Sequence, residues 1–380
     1  IDARAHFIAD HQRVLDPDDK CRYSFRSWDN DTESMVDGDN VPCGIMDLGG
    51  SDDRNWSPPL FLVEKNVYYP VEREISILDE FVEKFLYGVL QNRETFEVLN
   101  CVYDSDETYA QLKGTKSFAT IAGFLITDES GKETTWRNWS YPWRIYNYPY
   151  PMKTYYGMYR IAKRYGSLVS RRPTEYLEFA HRTAMAMYAD STYVNTLPYR
   201  GFQDHDTGDL YRSHAPQGAW ILGEMLPAML AEGMTDEYRI LHDTIVDVSA
   251  HYSREKYAVS AEYMSAGASP NTSGVYLYAQ VADDPRLKKT LIDSILAAKD
   301  DFPAWFCHGT FQRFVGSYMT SHLSYPLLNQ FMQTGDEYQL RLAYGGILAM
   351  WTCVDASGHG YNTREWRFNP PEFGHPEYHY

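Results

Sequence analysis

Between residues 191 and 215 the chain places Asp204, His205 and Asp206 in a row, followed by Asp209, Tyr211, Arg212 and His214. Glycosidic cleavage needs one carboxylic acid to protonate the leaving oxygen and a second carboxylate to act as base or nucleophile. Neighbouring carboxylates raise the pKa of one member, as the acid role demands. Asp206, with Asp204 and His205 beside it, is the candidate from this segment. A surface loop whose Asp side chains cap its own turns is the alternative reading. Glu262, in Ser260-Ala261-Glu262-Tyr263-Met264, is a lone acid in apolar surroundings and the candidate partner; an ion pair with Lys256 or an arginine is its alternative.

Rings and guanidinium groups gather in the other connections. Trp136, Trp143, Arg144 and Tyr146 lie in one segment, His308 and Arg313 in another, Tyr211 beside the acids and Trp366 in the tail near Glu365. Trp with Arg makes stacking platforms for sugar rings and clamps for carboxylated sugars, or packs loop against loop through cation–π contacts. The oxygen-rich run with Asp29, Asp31, Asp37 and Asp39 departs from the EF-hand pattern in its glycine position and closing glutamate. It reads as a solvated acidic loop, with a calcium site as the alternative; no other cofactor is implied. GxSxG, HExxH and P-loop strings are absent.

Helices must hold these segments. Apolar residues recur with helical period over Asp2–Leu15, Val71–Leu90, Pro151–Tyr165, Pro173–Ala189, Pro216–Leu230, Asp236–Tyr252, Gly274–Ala282, Pro285–Ala298, Tyr318–Met332 and Asp336–Cys353. Read as pairs, these make five hairpins, the first interrupted by the long polar stretch 16–70. Tight turns at 233–235, 283–284 and 334–335 force antiparallel neighbours, and long connections separate the pairs. Short turns are therefore expected at one end of the helices and long loops at the other. Residues 96–126, rich in β-branched and aromatic side chains, read as a small β insertion. No linker divides the chain, so residues 1–380 read as one mainly all-α domain.

Composition bounds the function. Thirty-five basic against fifty-two acidic residues give a net charge of −17, which argues against a nucleic-acid partner. No apolar run approaches the roughly 20 residues of a membrane span. Thirty-two Tyr and nine Trp suit neutral, hydroxyl-rich ligands as well as helix interfaces. The five Cys show no zinc spacing, although Cys21 and Cys43 are near enough in sequence to bridge. Sequons occur at Asn30, Asn55, Asn138 and Asn271, and the chain, opening on Ile1, reads as a processed or excised piece.

The repeated hairpins with ring-bearing loops resemble the six-hairpin, or (α/α)6-toroid, carbohydrate-active enzymes. More narrowly, Leu62-Val63-Glu64-Lys65-Asn66-Val67-Tyr68-Tyr69-Pro70, and Trp143-Arg144-Ile145-Tyr146-Asn147-Tyr148-Pro149 running into Tyr155-Tyr156-Gly157-Met158-Tyr159-Arg160-Ile161-Ala162-Lys163, resemble a poorly characterised family of secreted bacterial and fungal proteins of that fold. The resemblance implies a secreted, carbohydrate-acting protein with its active site where long loops meet inner helices. A β-sandwich commonly precedes such a toroid and none is visible here; five hairpins stand where the fold has six. Three functions remain open: a glycoside hydrolase using Asp206 and Glu262, a polysaccharide lyase drawing on His205, His308, Tyr211, Arg144 and Arg313, or a non-catalytic glycan-binding or surface-assembly protein.

Overall fold

The computed structural model describes residues 1–29, 32–37, 39, 48–51, 53–99, 101–103, 113–114, 125–127, 133–135, 147–189, 218–254, 272–301 and 317–351. It is mainly α-helical, as the periodicity requires, with short two-stranded ladders. The chain divides into two compact units, Ile1–Tyr193 and Val194–His379.

In the first unit, α1 (Asp2–His11) buries Ala5, Ile8 and Ala9 on one face. The chain then doubles back through an antiparallel bridge between Arg13 and Phe25 to β1 (Trp28–Asp29), which pairs with β2 (Ser34–Met35). The stretch expected to be polar connection instead contains α2 (Asp53–Tyr68). Pro58 and Pro59 look like breakers, because each lacks the amide a helix interior needs. Trp56, Leu62, Val63, Asn66 and Val67 nevertheless supply a buried stripe with helical spacing, and tertiary burial outweighs the local penalty.

That helix corrects the first hairpin. The partner of α3 (Glu72–Phe81) is α2 across the turn at 69–71, while α1 lies across both. Asn66 Oδ1 accepts the Val71 amide at 2.8 Å, closing the turn. Past Phe81 the helix widens into one π turn, Val82–Leu86, with the Tyr87 amide reaching the Val82 carbonyl, so it ends short of the expected Leu90.

The second hairpin joins α4 (Pro149–Tyr165) to α5 (Pro173–Ala189). Two prolines sit in the first turn of α4, where missing amides cost little. α4 runs parallel to α2. Gly157 meets Val63 so closely that a methyl group there would lie 1.9 Å from Val63 Cγ1, Arg160 pairs with Glu64, and Arg164 donates to the Val67 carbonyl at 2.5 Å. Both short turns of this unit therefore share one end, as expected. The turn after α4 is pinned to α3: Asp79 accepts the Ser170 amide at 3.0 Å and the Tyr176 hydroxyl at 2.8 Å, and Arg171 pairs with Glu83. In the core Gln91 accepts the Tyr155 hydroxyl at 2.7 Å and donates to the Phe96 carbonyl and the Thr183 hydroxyl. The β insertion expected over 96–126 is met only at its edge: β3 (Leu125–Thr127) pairs with β4 (Glu133–Thr135), Ile126 opposite Thr134, so the hairpin lies mostly beyond the expected segment, within which Val98 contributes an isolated bridge to Gln91.

The second unit contains α6 (Leu222–Ala231), α7 (Thr235–Arg254), α8 (Thr272–Val281), α9 (Pro285–Asp301), α10 (Ser317–Thr334) and α11 (Glu337–Trp351). Gly233 and Gly335 close the first and last hairpins at φ 76° and 73°, a conformation that costs glycine little. The middle turn departs from expectation. Asp284, which precedes α9, accepts the Ser253 hydroxyl from the last turn of α7 at 2.6 Å, and Tyr252 lies against Tyr278. α7 is 20 residues long, about 30 Å at the rise of an α-helix. The turns at 232–234 and 282–284 thus lie at opposite ends of α7, and the short turns of this unit do not all gather at one end. Turn length fixes the antiparallel sense within a hairpin but not the direction of the next one.

Candidate functional site

Asp204, His205, Asp206, Tyr211, Glu262, Trp136, Trp143, Arg144, Tyr146, His308, Arg313 and Trp366 lie outside the described residues, as do Asp209, Arg212, His214, Asp31 and Glu365. What the structure describes is the helical ground into which their connections deliver. Residues 190–217 lead towards α6, residues 255–271 enter α8, and residues 302–316 enter α10.

These three helices meet on one aromatic cluster. Gly218, left-handed at φ 84°, turns the chain into a single 3-10 turn, Ala219–Ile221, ahead of α6. That turn presents Trp220, half-buried, stacked on the half-buried Tyr325 of α10 with centroids 6.2 Å apart and planes at 26°. Tyr276 of α8 meets Tyr325 edge-on at 6.4 Å and donates its hydroxyl to Gln330 Oε1 at 3.2 Å. Gly223 permits the approach, since a methyl group there would lie 2.8 Å from Leu277 Cδ1 and 3.8 Å from the Tyr325 hydroxyl. Tyr276 lies in the second turn of α8 and Tyr325 midway along α10, about 6 and 12 Å from their starts.

Two prolines shape the same ground. Pro227 in α6 cannot donate to the Gly223 carbonyl, and Pro326 in α10 cannot donate to that of His322, so each helix is weakened beside the cluster. Burial pushes the pKa of the Tyr276 hydroxyl up to about 12. Burial, with Tyr276 and Glu224 adding to it, does the same for Tyr325. Tyrosine is protonated near neutrality with or without this shift; Tyr276 donates its hydroxyl hydrogen to Gln330, and Tyr325, half-buried, is the phenol of the pair nearer to solvent. Glu224, exposed one turn along α6 from Trp220, is the carboxylate of this cluster. Ring faces with polar tips beside an acid suit the alternating C–H faces and hydroxyls of a sugar.

In the sequence, Trp220, Tyr276 and Tyr325 look like core positions of amphipathic helices and are not among its candidates. The available signal is Gly218 and Gly223 bracketing a tryptophan at a helix start.

Of the acids of the calcium reading, Asp29, Asp37 and Asp39 are described. Asp29 is buried and accepts the Thr32 hydroxyl at 2.7 Å, and Asp37 accepts the Asp39 amide at 2.7 Å. Among the described residues no three His, Cys, Asp or Glu side chains gather as a metal site. Asn55 is buried with its amide on the Phe25 carbonyl, so that sequon cannot carry a glycan; Asn30, Asn138 and Asn271 lie outside the described residues. Cys21 is a free, buried thiol donating to the Leu48 carbonyl at 3.0 Å, which overturns a bridge to Cys43. Cys101 is likewise a buried thiol.

A model of the family of unknown function DUF5695 matches residues 1–366. The chain belongs to DUF5695. No curated protein matches this DUF5695 chain in sequence. Among solved structures, a polysaccharide lyase shares the fold of the DUF5695 chain at a TM-score of 0.57 and 13% identity, over 94% of this chain. The chain spans 46% of the length of that lyase. Among the described residues no helix is long and apolar enough to cross a membrane.

Proposed function

We propose that this DUF5695 chain is a secreted glycan-cleaving enzyme that lays its substrate against Trp220 and Tyr325. One observation carries the reading: α6 with its leading turn, α8 and α10, towards which the segments bearing Asp206, Glu262 and Arg313 deliver, meet on a single aromatic cluster. The resemblance to six-hairpin carbohydrate-active enzymes, and the fold shared with a polysaccharide lyase, support it.

The first chemistry is hydrolysis. Asp206 protonates the glycosidic oxygen; Glu262 takes a proton from water, which adds to the anomeric carbon as the C–O bond breaks. His205 orients the acid. Tyr211, His308, Arg313 and Trp366 contact the bound strand.

The second is β-elimination on a uronic-acid glycan, supported by the fold shared with a polysaccharide lyase. A base such as His205 or His308 removes the proton α to the carboxylate, the carbon–carbon double bond forms, the glycosidic C–O bond breaks, and a phenol protonates the leaving oxygen. Arg313 neutralises the uronate.

Incubation with neutral and uronate-bearing polysaccharides, reading both reducing ends and ultraviolet absorbance, tests the reading. New reducing ends without absorbance mean hydrolysis; absorbance means elimination. Full activity in Asp206→Asn or Glu262→Gln removes that residue from the mechanism. Saturable binding with no cleavage by the intact chain overturns the enzyme reading and leaves a glycan-binding protein.

A further inference from the structure

We propose that the first unit carries a second glycan-contact surface, for an acidic polysaccharide strand, built on Tyr68, Tyr69, Arg160 and Arg164. It rests on the preceding reading for the class of ligand and is made from different elements than the Trp220 cluster.

Tyr156, Arg160 and Arg164 follow one stripe of α4 at helical intervals, rising about 12 Å from first to last. The Arg160 guanidinium sits 5.4 Å from the Tyr68 ring and 5.9 Å from that of Tyr156, and the Arg164 guanidinium lies 5.6 Å from Tyr68. Rings and cations thus alternate in a ladder. Arg160 donates to the Tyr68 hydroxyl at 2.9 Å, which fixes the ring although it is 58% exposed. Tyr69, 66% exposed, follows at the end of α2 with its amide on the Lys65 carbonyl and Pro70 behind it.

Two features select the ligand. Large rings held rigid yet open to water lose little entropy when a flat, hydroxylated partner stacks on them. The charge is the second. In a chain of net −17, this ladder carries two arginines, and Arg160 takes up Glu64 through both its oxygens. Arg164 has a fork of N–H donors and directs one at the Val67 carbonyl. With Arg160 held by Glu64, the remaining donors of the exposed Arg164, beside the open Tyr68 ring, match a uronate carboxylate on a sugar chain.

Affinity electrophoresis of the full chain through gels containing polygalacturonate, and separately dextran, tests this without requiring turnover. Retardation by polygalacturonate alone is expected, with binding about tenfold weaker in Tyr69→Ala and in Arg164→Ser. Ile240→Ala, at an exposed position on α7, is the control and should migrate like the native chain. Circular dichroism checks that each variant folds. Equal migration in polygalacturonate and dextran, unchanged retardation in both variants, or equal retardation by single-stranded DNA overturns the proposal. Variant-sensitive retardation without any cleavage leaves this surface standing and removes the enzyme reading; cleavage without retardation does the reverse.

Discussion

Lys65 and Glu74 form an ion pair at 2.9 Å with side chains only 2% and 1% exposed. Asn66 donates to the same Glu74 oxygen at 2.8 Å, while Asp2 and His6 of α1 stand 3.6 Å from Lys65 and 3.7 Å from Glu74. One buried pair thereby joins α1, α2 and α3. Removing one partner strands the other charge away from water, so Glu74→Gln is expected to destabilise the first unit by about 3–5 kcal/mol. The double change Lys65→Met with Glu74→Leu should recover most of that loss. Urea unfolding followed by circular dichroism checks both; equal stability of the single variant and the native chain would refute the assignment.

At the aromatic cluster, Trp220→Ala removes the ring that stacks on Tyr325, and glycan binding should weaken about tenfold. Gly223→Ala pushes a methyl group into Leu277, and overpacking of that kind should cost about 1–3 kcal/mol of stability. Isothermal titration calorimetry with the cleaved glycan reads the first effect and thermal unfolding the second. Binding that survives loss of Trp220 would detach the cluster from the substrate.

Asp284 gives the second unit an acid-sensitive joint. Partial burial opposes its ionisation, but hydrogen bonds from Ser253 and from the Leu287 and Arg286 amides outweigh it and hold the carboxyl below its ordinary value. A depressed carboxylate stabilises the fold above its unfolded pKa of about 3.9, and that contribution is lost as pH falls through the folded value. The Asp284 side chain caps α9 by accepting the Leu287 amide, so Asp284→Ala should lose about 1 kcal/mol at neutral pH. Asp284→Asn keeps the cap acceptor and should flatten the acid limb. Thermal unfolding between about pH 7 and about pH 3 separates the two; an unchanged acid limb in Asp284→Asn would assign that limb elsewhere.

Cys21 should not react with a thiol reagent while the first unit is folded. Burial pushes its thiol up to about 12, against the lowering effect of Arg26, so the reactive thiolate is scarce at neutral pH as well as inaccessible. Labelling at graded urea concentrations should follow unfolding. Fast labelling in the absence of urea would contradict the packing.

The amino-acid pattern by itself determined most of the helical stretches. Each of its periodic segments contains a helix, Pro173–Ala189 to the residue, although the one expected to reach Leu90 leaves α-helix after Phe81 and the one expected from Pro216 begins its α-helix at Leu222. That works because burying an apolar stripe is a local demand, visible at spacings of three and four. Turn chemistry did the same for Gly233 and Gly335. Only tertiary structure decided the rest. α2 formed across Pro58 and Pro59 because Trp56, Leu62, Val63 and Val67 had a core to enter. The turn at Asp284 went to the far end of α7 because a hydroxyl on Ser253 and a ring on Tyr252 were there to receive it. Trp220, Tyr276 and Tyr325, remote from one another in the chain, became one cluster through the same kind of long-range contact. Sequence spacing reports on a residue's neighbours along the helix; which helices then meet is set by the burial of whole faces against each other.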